Sequence, residues 1–373
     1  MPRCAGCGTF AAATDRFCEE CGRELGVRRI ALPPMGPSTS RDAVTMPVAE
    51  PSVLSRTVAP YTGTTLSYDA NSQIACDNCG GTQFDDDGYC VACGQLGPQR
   101  DRFEADLGAT FLITDRGITH ARNEDAVSAA ILEGPTGSPA TVVIAVCDGV
   151  STSEDPQAAS GAAVRAGIDA CLEALAEDKP AEDCVMSGLT AAAEAVRAVG
   201  TPEGRAPSCT YVSAIVQFDE SGGARITVAN VGDSRAYWLQ PGEGSQRLTV
   251  DDSLAQALVE TGLMDEADAM DAPHAHVLTR WLGADSEHKW SANVVRSVHI
   301  QEPGVLLVCT DGMWNYFPEA AALASFATGA PPFPAARKLV DQALLAGGKD
   351  NITVALVPVP FAEPTSEQAG DTL

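Results

Sequence analysis

The stretch VIAVCDGVSTS, residues 143–153, ends an apolar run on a cysteine, an aspartate, a glycine and three hydroxyl side chains. With Thr141 and Val142 before it, the run is β-branched and almost wholly apolar, the pattern of a strand buried on both faces. Runs of the same kind recur at TYVSAIVQF (210–218), ARITVAN (224–230), RAYWLQ (235–240), GVLLVCT (304–310) and NITVALVPV (351–359). Alanine-rich helical stretches interrupt them: PQAASGAAVRAGIDACLEALAED (156–178), SGLTAAAEAVRAVG (187–200), SLAQALVETGL (253–263) and PAARKLVDQALLAG (334–347). The last runs into Gly347 and Gly348, a helix stop signal. Strand pairs, then helices, then strand pairs define an α+β protein in which two sheets are covered by helices.

Cys147, Ser151, Ser153 and Asp148 all stand as candidates for the chemistry at the end of the first run. Asp148-Gly149 closes that strand, Asp311-Gly312 closes GVLLVCT, and Asp350 opens NITVALV. An unpaired anion at the mouth of a buried strand is costly unless something positive binds it. The triplet Asn123-Glu124-Asp125, beside a strand-like GITHAR, and Asp233 of VGDSR, between two strands, add further acids. A set of ligands that is nearly all carboxylate oxygen suits hard divalent cations, Mg²⁺ or Mn²⁺. Each Asp-Gly pair alone is also ordinary turn chemistry. Their order and context carry the information.

The pieces TDRGITHARNEDA, VCDGV, ANVGDSRAYWL, LTVDDSLAQALVETGL, VLTRWLG, LLVCTDGMWN and GGKDNITVALV, in this order from Thr114 to Val357, resemble the metal-dependent Ser/Thr protein phosphatases of type 2C, in their bacterial form. The resemblance implies a central β-sandwich of two antiparallel sheets flanked by helices. It implies a dinuclear Mn²⁺ or Mg²⁺ site ligated by Asp125, Asp148, Asp311 and Asp350 with the carbonyl of Gly149, in which Asp148 bridges the ions. Glu124 would act through metal-bound water, and Asp233 with Asp311 would form a third metal position. Two cations ~3.5–4 Å apart would lower the pKa of a bridging water, which attacks phosphorus in line without a covalent phospho-enzyme.

Three departures from the family pattern stand out. The arginine that usually grips substrate phosphate is replaced by His120, with Arg116 and Arg122 nearby. If GITHARNE is extended, His120, Arg122 and Glu124 share a face, Arg122 lying ~6.6 Å along it, and Arg122 is the expected phosphate anchor, with His120 and Arg116 as the other candidates. Val150-Ser151-Thr152-Ser153 takes the place of a glycine pair. Asp252 replaces a common histidine and adds to the acid-rich stretch DEADAMDAP, read here as a solvated helix face. Trp314 is expected to pack in the core beside the site, and His274 and His276 to be structural or exposed.

The 373 residues carry 24 basic and 50 acidic side chains, a net charge of −26. Residues 1–100 hold 8 basic and 11 acidic, leaving 16 and 39 for the remainder. So acidic a segment repels nucleic acid and anionic membrane. No run reaches the ~18–20 apolar residues of a membrane span, and MPRCAGCG has no signal-peptide core; the expected location is cytoplasmic.

Eight of the 13 cysteines form two quartets of equal spacing, Cys4, Cys7, Cys18, Cys21 and Cys76, Cys79, Cys90, Cys93. Paired C-x-x-C knuckles, each followed by glycine, suit tetrahedral Zn²⁺, and a unit of ~20 residues needs a metal to fold. Both resemble zinc ribbons, so two structural Zn²⁺ are expected; disulfides or inert thiols are the competing reading. The expected organisation is ribbon 1 at 1–25, a Pro/Ser/Thr linker at 26–70, ribbon 2 at 71–96, a short linker at 97–103, the phosphatase domain at 104–361 and a disordered tail at 362–373. Partners implied are phosphorylated proteins, Ser/Thr kinases or their substrates, with the ribbons docking partner proteins. A catalytically weak phosphoprotein-binding member is the alternative. Nucleic-acid binding by the ribbons ranks last, because their basic residues form no patch.

Overall fold

The computed structural model describes residues 27–30, 79, 81, 90–94, 102–133, 139–200, 206–219, 222–270, 272–286, 290–291 and 293–359. In chain order these form β1 (Val27–Ile30), β2 (Phe103–Asp106), β3 (Phe111–Asp115), β4 (Ala126–Glu133), β5 (Pro139–Cys147), α1 (Pro156–Ala176) and α2 (Ala181–Val199). Next come β6 (Ser208–Cys209), β7 (Tyr211–Phe218), β8 (Ala224–Val231), β9 (Arg235–Leu239), β10 (Gln246–Arg247), α3 (Leu254–Glu260), α4 (Glu266–Met270) and β11 (Leu282–Gly283). The last are β12 (Val295–Ile300), β13 (Gly304–Cys309), α5 (Asp311–Trp314), α6 (Ala320–Ala327), α7 (Pro332–Ala346) and β14 (Ile352–Val359).

Two six-stranded sheets result, in the orders β1-β4-β5-β7-β8-β12 and β10-β9-β13-β14-β3-β2, with a small β11-β6 pair beside them. The pairings within both large sheets are antiparallel. Side-chain alternation explains why the central strands read as unbroken apolar runs. On β5, Val142, Ile144 and Val146 point into the core between the sheets, while Val143, Ala145 and Cys147 point outward onto α1 and α2. Strand β14 does the same in the second sheet: Ala355, Val357 and Val359 face the inter-sheet core, and Ile352, Val354 and Leu356 face α6 and α7. The central strands are therefore dry on both faces, and the molecule is layered helix, sheet, sheet, helix.

The strands read from sequence correspond to β5, β7, β8, β9, β13 and β14. Helix α1 starts where Asp155 caps it, its carboxylate accepting from Ala158 N–H at 3.3 Å, with Pro156 at the first helical position. Helix α2 begins earlier than the sequence suggests, at Ala181 after Pro180.

GITHAR, read as strand-like, is not extended. The Ile118 and Thr119 amides donate to the Gly348 carbonyl at 2.7 and 3.3 Å, so this segment folds as a turn against the end of α7 instead of joining a ladder. The one-face argument for His120, Arg122 and Glu124 goes with it. Within the stretch expected to be linker, Val27–Ile30 pairs with β4, Val27 opposite Leu132 and Ile30 opposite Ala129. Cys4, Cys7, Cys18, Cys21 and Cys76, the rest of that linker and residues 360–373 lie outside the described residues. Among the described residues no helix is long and apolar enough to cross a membrane.

Candidate metal centre

Antiparallel pairing gathers the acids at one end of the sandwich. The first residue of β4 lies opposite the last of β5 (Ala126 opposite Cys147), which sets Asp125 beside Asp148. In the second sheet, β13 and β14 repeat the arrangement, Cys309 lying opposite Val354, with Asp311 just after one strand and Asp350 just before the other. The loop from β8 to β9 crosses between the sheets at this same end, Arg235 lying opposite Cys309, and carries Asp233. Two glycines allow the loops to close this tightly. A Cβ on Gly149 would stand 2.7 Å from the Glu124 carbonyl oxygen, and one on Gly312 would overlap the Asn351 carbonyl.

Asp125 is held by hydroxyls. Its Oδ2 accepts from Thr310 Oγ1 at 2.8 Å and from Thr353 Oγ1 at 2.7 Å. Behind them, Thr353 Oγ1 meets Thr114 Oγ1 at 2.7 Å, Asn123 Nδ2 donates to Thr114 at 2.8 Å, and Thr353 N–H donates to Thr310 at 3.0 Å. The other oxygen, Oδ1, is buried without a partner. Asp311 is built alike: Asn315 Nδ2 donates to its Oδ2 at 3.0 Å, and its Oδ1 is buried and unpartnered. The backbone of Asp148 is fixed by Thr210, whose Oγ1 accepts from Asp148 N–H at 3.0 Å and whose N–H donates to the Asp148 carbonyl at 2.8 Å.

Crowding shows in the proton affinities. Burial, then the charges of Asp125, Asp311, Asp233 and Asp350, pushes the Asp148 carboxyl well above the usual range. Burial also raises Asp125 and Asp233, against the Thr353 and Thr310 hydroxyls in one case and the Arg235 charge in the other. Asp311 is raised to about 6 by burial and by Asp350, despite the hydrogen bonds its carboxylate accepts from Asn315 and from the Gly312 backbone.

The nearby cations do not neutralise the group. Arg235 is buried and committed to Asp251, Nη2 to Oδ2 at 2.6 Å and Nε to Oδ1 at 3.0 Å, with its guanidinium over the Trp314 ring at 3.4 Å. Unsatisfied buried oxygens, an all-oxygen donor set and raised proton affinities together fit a hard divalent cation. The residues able to hold one are Asp125, Asp148, Asp311, Asp350 and Asp233, with the Gly149 carbonyl.

Glu124 is clamped around them. Its N–H donates to Asn351 Oδ1 at 2.7 Å, its carbonyl accepts from Ser160 Oγ at 2.6 Å, and its Oε2 accepts from Ser151 Oγ at 2.5 Å. The three basic candidates part company: His120 Nε2 lies 3.1 Å from Asp350 Oδ1, Arg116 Nη1 reaches back to the Ala121 carbonyl at 3.5 Å, and Arg122 is exposed. Two other candidates of the opening stretch are engaged elsewhere. Cys147 faces the α1–α2 core, its thiol pushed well up by burial; Ser153 Oγ accepts from Ser208 N–H at 3.2 Å.

Asp252 does not extend an acidic face. It is buried and pairs with Arg280 at 2.6 Å, and its backbone bonds to the Gly232 carbonyl and Thr279 N–H. That closes the stem of the segment carrying α4, on which Glu266 and Asp268 are exposed as expected. Trp314 is buried, donating Nε1–H to the Asp233 carbonyl at 2.8 Å, and His276 stacks on it at 5.8 Å. Sequence reasoning missed Thr310, Thr353 and Asn351. The available signal was a hydroxyl or amide inside or beside an otherwise apolar buried strand.

A β-sandwich between helices, with clustered carboxylates at one end, agrees with the metal-dependent phosphatase architecture that the sequence resemblance implies. Residues 117–345 match the family Protein phosphatase 2C, over more than half of the chain, and the chain belongs to that family. Among similar proteins is the serine/threonine phosphatase stp of Listeria innocua, 31% identical over 248 residues, covering 65% of this chain and 93% of that protein. Similar solved structures include the S. agalactiae serine/threonine phosphatase, 25% identical with a TM-score of 0.54, covering 66% of this chain and 98% of that one. Another is the catalytic domain of the serine/threonine protein phosphatase PstP in complex with two manganese ions, 25% identical with a TM-score of 0.50, covering 67% and 97%.

With metal chelated, carboxyls whose affinity for protons is raised by folding stabilise the folded state below about pH 4, and that contribution is lost as pH rises through about 6, where Asp311 ionises. Asp311→Asn is therefore expected to raise the unfolding free energy of the chelated protein at pH 7.5 by about 1–3 kcal/mol. Calorimetry in chelator reads the difference, which should vanish near pH 4.

Proposed function

We propose that the chain hydrolyses phosphoserine and phosphothreonine in protein substrates, using two Mg²⁺ or Mn²⁺ ions held by Asp125, Asp148, Asp311, Asp350 and the Gly149 carbonyl. Glu124 and Asp233 belong to the same centre, Asp233 at a third position. The observation that carries this reading is the convergence of carboxylates from both sheets, with buried oxygens on Asp125 and Asp311 that no protein group satisfies. The names of the Listeria relative and of the manganese-bound structure support it. When bound, the ions supply the water activation and charge neutralisation that phosphomonoester hydrolysis requires.

The chain's own part is to hold and orient. Short aspartates on strand ends fix their oxygens with little side-chain entropy to lose. His120 engages Asp350 and Arg116 turns back on the chain, so Arg122 is the guanidinium that grips substrate phosphate at the rim. Substrate partners are phosphoproteins, Ser/Thr kinases and their targets among them.

Cys79, Cys90 and Cys93 each offer a sulfur within 4.8 Å of the other two, and Cys79 and Cys90 approach to 3.5 Å. Gly81 N–H donates to Cys79 Sγ at 3.4 Å, a knuckle arrangement for thiolates. These three with Cys76 form one structural Zn²⁺ site; Cys4, Cys7, Cys18 and Cys21 form a second. The two ribbons serve as docking modules for partner proteins.

Three measurements test these assignments. Hydrolysis of an aryl phosphate and a phosphothreonine peptide should require Mn²⁺ and cease with chelator, and Asp148→Asn should cost about 100-fold or more; turnover in chelator overturns the mechanism. Arg122→Ala should raise KM for the phosphopeptide about 3–10-fold with little change in kcat, and an unchanged KM moves the anchor elsewhere. Metal analysis should find about two zinc per chain, and Cys90→Ser about one less, with aryl phosphatase activity retained; a zinc-free chain overturns the ribbon assignment.

A further inference from the structure

The loop after β5 is anchored at both ends to one residue. Val150 N–H donates to the Ser208 carbonyl at 2.9 Å, Ser208 N–H donates to Ser153 Oγ at 3.2 Å, and Ser153 N–H donates to the Val150 carbonyl at 2.8 Å. This tight turn lifts Ser151 to an exposed position, yet its hydroxyl is directed onto Glu124 Oε2 at 2.5 Å. That distance is at the short end for a hydroxyl donating to a carboxylate.

The other two clamps on Glu124, from Asn351 and Ser160, hold its main chain. They do not restrain its side chain, which has three rotatable torsions. Ser151 supplies that restraint, from a loop whose own backbone is fixed and which leads directly from Asp148 and Gly149 into α1.

We propose that Ser151 is a positioning residue for the phosphatase reaction: its hydroxyl holds the Glu124 carboxylate in one orientation at the metal centre, so that it acts through Glu124 and not on the substrate. The inference rests on the metal reading of Glu124 given above. A serine placed on a rigid turn spans the gap to Glu124, which neither glycine nor alanine can do.

The test is Mn²⁺ titration of the full chain by calorimetry and by the Mn²⁺ electron paramagnetic resonance signal, alongside aryl phosphate kinetics. Ser151→Ala should weaken the Mn²⁺ binding step to which Glu124→Ala is sensitive by about 10-fold, and lower kcat with KM nearly unchanged. Ser151→Thr, which keeps the hydroxyl, should return both to within about twofold, and Ser151→Ala should add nothing in a Glu124→Ala background. Mn²⁺ affinity within about twofold of wild type in Ser151→Ala, or effects that multiply in the double variant, overturns the proposal. Asp148→Asn is the control: if it binds Mn²⁺ as wild type does, the metal reading itself fails.

Discussion

Burial of clustered carboxylates, sharpened by their mutual repulsion, is the constraint on which this molecule turns. Asp125, Asp148, Asp233, Asp311 and Asp350 converge at one end of the sandwich, the buried Arg235 beside them is committed to Asp251, and burial raises the proton affinity of four of them. A fold carries such an arrangement only when its remaining contacts over-determine the positions. Here they do so with strands that are dry on both faces, so the chain ends bearing the acids cannot drift without opening two cores at once. The acids sit where the antiparallel ladders terminate, the last rigid backbone before solvent.

The centre also stitches the sheets together. Asp125 precedes a strand of the first sheet, yet the hydroxyls that fix it, Thr310 and Thr353, belong to the β13 and β14 strands' ends in the second. Each hydroxyl binds the same oxygen, Oδ2, which leaves Oδ1 directed elsewhere. A lysine or arginine in place of the threonines would neutralise the carboxylate, which the proposed metal site could not tolerate. Hydroxyls orient an anion without neutralising it, and the Thr114 and Asn123 contacts orient the hydroxyls in turn.

Much of this was legible because it follows from period and punctuation. Nearly apolar, β-branched runs marked the buried strands, and acids at their mouths, Asp148 and Asp311 among them in Asp-Gly pairs, marked the end of the sandwich where carboxylates gather. GITHAR misled because its own residues read as strand-like, whereas the Ile118 and Thr119 amides find the Gly348 carbonyl, a partner distant in sequence. Asp252 misled for a similar reason: beside DEADAMDAP it reads as one more surface acid, while its partner Arg280 lies 28 residues away. The hydroxyl cage was invisible because a threonine in a β-branched strand satisfies strand propensity and advertises nothing more. Local pattern reveals elements and residue types; long-range pairing decides which polar residue meets which.

Arg235 shows how the charge of the centre is preserved. It lies one residue beyond Ser234 from Asp233, buried, and a buried guanidinium there could have collapsed onto the carboxylates and silenced them. Instead Asp251 takes it in a two-pronged pair, Tyr237 accepts from Nη1 at 3.0 Å, and Trp314 covers its face. The same Trp314 donates to the Asp233 carbonyl, and it sits on the helical turn that Asp311 opens. One aromatic side chain thus diverts the arginine and ties together the backbones of two acids. Since Asp251 compensates Arg235, the charge left at this end of the sandwich is that of the aspartates themselves, which is the electrostatic condition on which the proposed divalent site depends.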